Sequence, residues 1–352
     1  MQIPQCDPVT NYLAHQGEID AAIARVLASG RYILGPEVEA FEREFANYLG
    51  VTQVVGVANG TDALTLALKA CGIRPGDRVA TVSHTAVATV AAIEAAGAIP
   101  ILIDIDPGTF TMDPAALETV RAAAVVPVHL YGQPADMSHI MNIARRLGMK
   151  VIEDCAQSHG HATGRCGDAA AYSFYPTKNL SAIGDGGAVA TNDSEVAARL
   201  RSLREYGWRN RYISETAGIN SRLDELQAAI LRVKLRYLDE SNDRRRAIAA
   251  EYDRALAAKD LILPKPTAAH VYHQYVVRSH KRDALRERLR ARGIGTLIHY
   301  PVPVHLQPAY RGRIEHGTLT ETENIVREIV SLPMYAELPD DAIAAIAAAI
   351  ER

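Results

Sequence analysis

The sequence predicts an α/β fold, with a large, mostly parallel sheet sandwiched by helices and a smaller C-terminal α/β domain. Three observations carry this. From Val54 to Glu153 short apolar segments recur without alternating, as in strands buried on both faces. Each is followed by apolar residues at helical spacing, the strand–helix alternation that builds parallel sheets. Beyond Arg222 the text changes to one long helical run and only two more strand segments, which places a large domain at 1–235 and a small one at 236–352.

In order, Ile19, Ala22, Ile23, Val26 and Leu27 mark a helix that Ser29-Gly30 stops. Arg31 to Pro36 is a loop, and Val38, Phe41, Phe45 and Leu49 set a second helix closed by Gly50. Strands at 54–57, 79–82, 99–103, 124–128 and 150–153 then alternate with helices at 61–70, 86–96, 114–120 and 137–147. Ala169 to Phe174 and Ala188 to Ala190 are further strands joined by a polar, glycine-containing turn. Leu223, Leu226, Ile230, Val233, Leu235 and Leu238 extend one helix from Arg222 to about Leu256. After Pro264 and Pro266 come a strand at 271–277, a helix at 283–292, a strand at 296–298 and two closing helices.

Composition narrows the function classes. With 352 residues, 48% of them apolar, the chain has enough material for a sizeable core. Its formal net charge of -3 gives no global basic field for nucleic acid or an anionic membrane, and Arg244 to Arg246 read as a solvated helix face. Cys6, Cys71, Cys155 and Cys166 are scattered, as reduced thiols in a cytoplasmic protein would be. Met1 to Gln5 lacks the charged head and apolar run of a signal peptide. No apolar stretch reaches the ~18 residues of a spanning helix. The expectation is a soluble, cytoplasmic protein.

In buried parallel sheets ligands gather at the carboxyl ends of the strands, and the polar residues of interest lie there. Ala58-Asn59-Gly60-Thr61-Asp62 opens directly into a helix, whose first amides and dipole suit a phosphate. Asn-Gly is equally an ordinary turn, and Thr or Asp an ordinary cap. Asp154 ends a strand, where a carboxylate can pair with a protonated pyridine nitrogen, and Gln157 can reach a phenolic oxygen. Ser173 precedes Lys178 by five residues, and a lysine at the lip of a sheet loses hydration and becomes a competent Schiff-base amine. His159, His161 and Cys166 lack the spacing of a metal site, so no metal is expected. Each feature alone has a bland explanation. Their order on successive strands fits pyridoxal 5'-phosphate.

The runs Glu153-Asp154-Cys155-Ala156-Gln157-Ser158-His159-Gly160, Tyr172-Ser173-Phe174-Tyr175-Pro176-Thr177-Lys178-Asn179-Leu180 and Gly184-Asp185-Gly186-Gly187 resemble those of the DegT-type nucleotide-sugar aminotransferases. These are fold-type I pyridoxal-phosphate enzymes, of the aspartate aminotransferase-like architecture. The likeness runs from Gly30-Arg31-Tyr32 to His299-Tyr300-Pro301. It implies Lys178 as the Schiff-base lysine, Asp154 on the pyridine nitrogen, Gln157 on the phenolic oxygen, and Gly60, Thr61 and Ser173 on the phosphate. Asn220, within Gly218 to Gln227, would touch the cofactor phosphate of a neighbouring subunit, so the implied unit is a homodimer with shared sites. L-glutamate would donate the amino group, and a nucleotide-linked keto sugar would receive it.

One position departs from the pattern. The family often stacks an aromatic residue on the ring after Thr85, where this chain has Ala86, so either His84 or another residue covers the ring or that face is less fully packed. Segments 128–134, 206–212 and 298–307 look most like members that aminate C3 of dTDP-linked 3-keto-6-deoxyhexoses, although 4-keto and UDP-linked branches share most of this grammar. Arg31, Arg209 and Arg211 are candidates for the diphosphate or are simply exposed arginines, and Tyr32, His159, His299 and His305 complete the candidate substrate set. Lysine at 178, rather than histidine, argues against the dehydratase branch. A non-catalytic regulator is disfavoured by the intact lysine, aspartate and phosphate turn. A nicotinamide dehydrogenase is excluded because no Gly-x-Gly-x-x-Gly follows a strand.

Overall fold

The computed structural model describes residues 2–350. Seven strands between residues 53 and 191 lie in one sheet: β1 (Gln53–Val57), β2 (Arg78–Val82), β3 (Ile99–Ile103), β4 (Ala124–Val125), β5 (Lys150–Asp154), β6 (Ala169–Ser173) and β7 (Gly187–Thr191). A hairpin follows, β8 (Trp208–Asn210) and β9 (Ile213–Ser214), and then β10 (Tyr275–Arg278), β11 (Glu315–His316) and β12 (Ile329–Leu332). The main sheet has eight strands in the order β1-β7-β6-β5-β4-β2-β3-β11, and only β7 runs against the rest. This is the fold-type I transferase architecture, and it puts the turns after β1, β2, β4, β5 and β6 on one edge.

Alternation along β6 sets up the site. Tyr172 and Phe174 point into an aromatic cluster with Phe41 and Phe45, at ring separations of 5.3 Å (Phe41–Phe174) and 5.1 Å (Phe45–Tyr172) in edge-on geometry. Such contacts contribute about 0.5–1.5 kcal/mol each beyond area burial. Ser173, between them, must face the other way. A second cluster packs the helix Gly60–Ala70 onto the sheet through Leu64, Leu68, Val79 and Ile152. The C-terminal portion has its own cluster, from Tyr252 and Tyr275 to Ile346, which also takes in Ile3.

The differences from expectation have local causes. β4 stops at Val125 because Pro127 has no amide to donate, and Val128 keeps only an isolated bridge to Asp154. The helix expected from Arg222 breaks into Glu225–Leu235 and Leu238–Leu256, although Leu235 and Leu238 face the same cluster and so conceal the break. Residues 271–274 do not extend β10. Val271 and Gln274 donate their amides to Gly132 O (3.1 Å) and Tyr131 O (3.2 Å), folding the segment over the turn after β4. The strand expected at 296–298 is reduced to the bridge Leu297–Ser331, and β12 lies between the closing helices Thr320–Glu328 and Asp340–Ile350. No helix among the described residues is long and apolar enough to cross a membrane.

Candidate active site

A cavity of about 520 Å³ opens at the strand ends and brings together Gly60, Thr61, Asp154, Gln157, Ser173 and Lys178. Larger grooves of about 930 Å³ lie elsewhere, but one is bordered by arginines already paired with Glu37 and Glu44, so volume alone does not select a site.

The turn after β1 is shaped as an anion cradle. Asn59 caps the helix by accepting the Asp62 amide at 2.8 Å, which leaves the first-turn amides of Gly60 and Thr61 as the remaining donors. A Cβ on Gly60 would meet Ser173 Cβ at 2.5 Å and Oγ at 3.1 Å, so only glycine lets the helix start lie against the serine hydroxyl. Ser221, fully buried, pins this turn: its Oγ accepts the Ala58 amide at 3.0 Å and donates to Asp62 Oδ2 at 2.6 Å.

Across the cavity, Asp154 is buried at the end of β5, and burial raises its carboxyl above the usual range. Hydrogen bonds from the Ala156 amide (3.1 Å) and Thr89 Oγ1 (2.9 Å), with the charge of Lys178, oppose that shift. Its neighbour Glu153 points to the other face. Burial works against its charge as well, but His129 Nε2 (3.0 Å) and the amides of Gly164, Cys166 and Gly167 hold it below the usual carboxylate range. His129, Glu153 and Cys155 are close enough to suggest a metal, yet both imidazole nitrogens are engaged, Nδ1 accepting from the Ala135 amide at 3.0 Å.

Gln157 is oriented from both ends. Its Oε1 accepts the Tyr131 amide at 2.7 Å, and its Nε2 donates to Tyr300 Oη at 3.1 Å with one hydrogen to spare. Tyr131 Oη donates to His299 O, so His84 Nε2 must donate to Tyr131 Oη (2.9 Å). His84 is thereby buried beside Tyr131 and Phe110 and does not line the cavity, whereas Ala86 does. Lys178, in the β6–β7 turn, has no hydrogen-bond or ion-pair partner for its amine among the described residues. Burial pushes that amine down to about 8, opposed only by Asp154.

The remaining candidates are placed unevenly. Asn220 is exposed and does not line the cavity of its own chain. Arg31, Tyr32, Arg209 and Arg211 are exposed too; Arg209 pairs loosely with Glu215 (3.4 Å), and Arg211 lies over the Tyr212 ring. His299 bonds Ser331 Oγ at 2.8 Å and is held down to about 4 by burial and then by the charge of Lys178. His159 and His305 do not line the cavity of this chain. The His159 ring is fully buried beside Tyr172 and Phe174, and His305 is clamped between Ser83 Oγ (2.7 Å) and Glu323 (3.3 Å).

Sequence reasoning missed Thr89, Tyr300, Ser221 and Glu225. The Glu225 carboxylate accepts the amides of Gly35, Glu37 and Val38 at 2.8–3.0 Å, capping a helix whose own cap position is Gly35. It thereby ties the Arg31 loop to the Asn220 segment. A usable signal existed for one of the four: Thr85 and Thr89 stand four apart at a helix start.

The residues fit a pyridoxal phosphate, with a glycine-floored cradle for a phosphate, a buried carboxylate with accepting capacity left, and an unpartnered amine between them. The model of the DegT/DnrJ/EryC1/StrS aminotransferase family matches residues 14–351. The dTDP-3-amino-3,4,6-trideoxy-alpha-D-glucose transaminase of Streptomyces venezuelae is 49% identical over 96% of this chain and 92% of its own. The crystal structure of S. venezuelae DesV in complex with a ketimine intermediate superposes with a TM-score of 0.96 at 47% identity, over 100% of this chain and 99% of that one. NtdA of Bacillus subtilis with bound cofactor PMP gives 0.91 at 31% identity, over 96% and 82%. The chain belongs to the DegT/DnrJ/EryC1/StrS aminotransferase family.

Proposed function

We propose that this chain is a pyridoxal-phosphate-dependent transaminase that moves an amino group from L-glutamate to C3 of a dTDP-linked 3-keto-6-deoxyhexose. It works as a cytoplasmic homodimer whose two sites are shared. The observation that carries the reading is the convergence of the Lys178 amine, the Asp154 carboxylate and the Gly60–Ser173 cradle in one cavity. The Streptomyces transaminase supports the choice of C3 and of the dTDP-linked class.

When bound, the cofactor supplies an electron sink for cleaving the donor's α-carbon–hydrogen bond. Gly60, Thr61 and Ser173 hold its phosphate, and Asn220 of the neighbouring subunit completes that cradle. Asp154 stays ionised and keeps the ring nitrogen positive. Gln157, locked by Tyr131 and Tyr300, gives its spare N–H to the phenolic oxygen. Lys178 Nζ would be the base that accepts the donor's α-carbon proton and later gives it back. An amine held down to about 8 is close enough to neutrality to do both. Arg31, Tyr32, Arg209 and Arg211 meet the nucleotide diphosphate, and His299 stands near the sugar.

The test is incubation of purified protein with glutamate and a panel of 3-keto and 4-keto dTDP and UDP sugars, with the aminated carbon read by NMR. The proposal expects an amine at C3 of a dTDP sugar. Turnover confined to 4-keto or UDP-linked substrates would refute the specificity, and no turnover with any would refute the activity.

A further inference from the structure

Asp154 does not meet its surroundings alone. Thr89 lies in the first turn of the helix Val87–Ala95, 1% exposed, and its Oγ1 donates to Asp154 Oδ2 at 2.9 Å. Thr89 Oγ1 is also 2.9 Å from Thr85 Oγ1, which is 2% exposed. A hydroxyl has a single proton. Thr89 gives its own to the carboxylate, so the proton between the two threonines belongs to Thr85. Every donor in the chain Thr85→Thr89→Asp154 therefore points towards the carboxylate, an arrangement that favours its ionised form.

We propose that Thr85 and Thr89 form a directional two-hydroxyl relay that holds Asp154 ionised and aimed at the ring nitrogen, with Thr89 as the positioning residue and Thr85 as its support. This rests on the cofactor reading above. Around Asp154 the other titratable groups are Lys178 from the β6–β7 turn, His129 after β4, Tyr300 from the C-terminal portion, and Cys155 beside it. Lys178 and His129 oppose the effect of burial through their charge, and the hydroxyl relay and the Ala156 amide oppose it through hydrogen bonds to the carboxylate itself. Both threonines line the cavity, next to Ala86.

The experiment uses full-length wild type and the variants Thr89→Val, Thr89→Ser, Thr85→Val and the double valine. Each apoprotein is titrated with pyridoxal phosphate, and the visible absorption band of the holoprotein is followed against pH. Losing one hydrogen bond to a charged group weakens cofactor retention by roughly tenfold or more in Thr89→Val. A less positive ring nitrogen makes the coloured lysine adduct a weaker acid, so its pH midpoint moves up. Thr89→Ser keeps the donor and restores both readouts. Thr85→Val moves them the same way by less, and in the double variant it adds nothing to Thr89→Val, because the relay is already cut. If Thr89→Val binds cofactor within twofold of wild type with an unmoved midpoint, or if the two valines act additively, the relay is wrong. If wild type itself takes up no cofactor and shows no band, the cofactor reading fails first.

Discussion

Replacing Gly60 by alanine tests the cradle without touching a reactive group. The new methyl would lie 2.5 Å from Ser173 Cβ and 3.1 Å from its Oγ, whereas carbon atoms pack at about 3.5–4.0 Å. The helix start and β6 must separate by roughly 1 Å to accept it. β6 is anchored from below by Phe41 and Phe45, so the helix start moves and takes the Gly60 and Thr61 amides with it. Overpacking of this kind costs about 1–3 kcal/mol of apoprotein stability. Weakening charge-assisted bonds to a phosphate, worth about 1.5–3 kcal/mol each, lowers cofactor affinity by roughly ten- to a hundredfold. The assay is an absorbance titration of Gly60→Ala apoprotein with pyridoxal phosphate, with melting curves taken with and without cofactor. Affinity within twofold of wild type, with the cofactor still raising the melting temperature as much, would show that the phosphate does not sit there.

Other consequences are as direct. Asp154→Asn removes the charge while keeping the shape, and amino transfer in a coupled glutamate assay falls by at least about tenfold, the cost of a lost hydrogen bond between charged groups. Glu225→Ala strands the amides of Gly35, Glu37 and Val38 and destabilises the fold by about 2–5 kcal/mol in denaturant melts; a change below about 0.5 kcal/mol would contradict the capping role. Lys178 titrates at about 8 when folded against 10.5 for an unburied lysine. Between those values the unfolded chain binds a proton that the folded one has lost, so wild-type apoprotein stability rises with pH across this window. Lys178→Met loses its own share of that rise and keeps the share of Lys234, which burial also pushes down to about 8. Parallel pH–stability curves for the two proteins would mean that Lys178 is not held in a low-pKa environment.

Most of the sheet was legible because its strands are short apolar runs bounded by turn residues, which burial on both faces demands. The eventual partners were not, since nothing in β7 announces that it alone runs antiparallel. Breaks hidden within a continuous apolar face, as between Leu235 and Leu238, leave no mark in the periodicity. The candidate cofactor residues were readable because they fall in the turns that follow successive strands. Thr89, Tyr300 and Ser221 act on those residues through side-chain bonds across 65, 143 and 159 positions, and a linear reading has no access to such pairings. His159 and His305 show the opposite case: each stands inside a telling motif, yet both are buried outside the cavity of their own chain.

Covalent trapping tests the central assignment most directly. Lys178 shares its depressed amine with Lys234, which burial also pushes down to about 8 but whose Nζ donates to Ser181 Oγ at 3.1 Å. Amine acidity therefore cannot choose between them, and only the cavity does. Full-length protein loaded with pyridoxal phosphate, reduced with borohydride and digested for mass spectrometry should carry the label on Lys178. A label on Lys234 or on any other lysine, with Lys178 unmodified, would contradict the account.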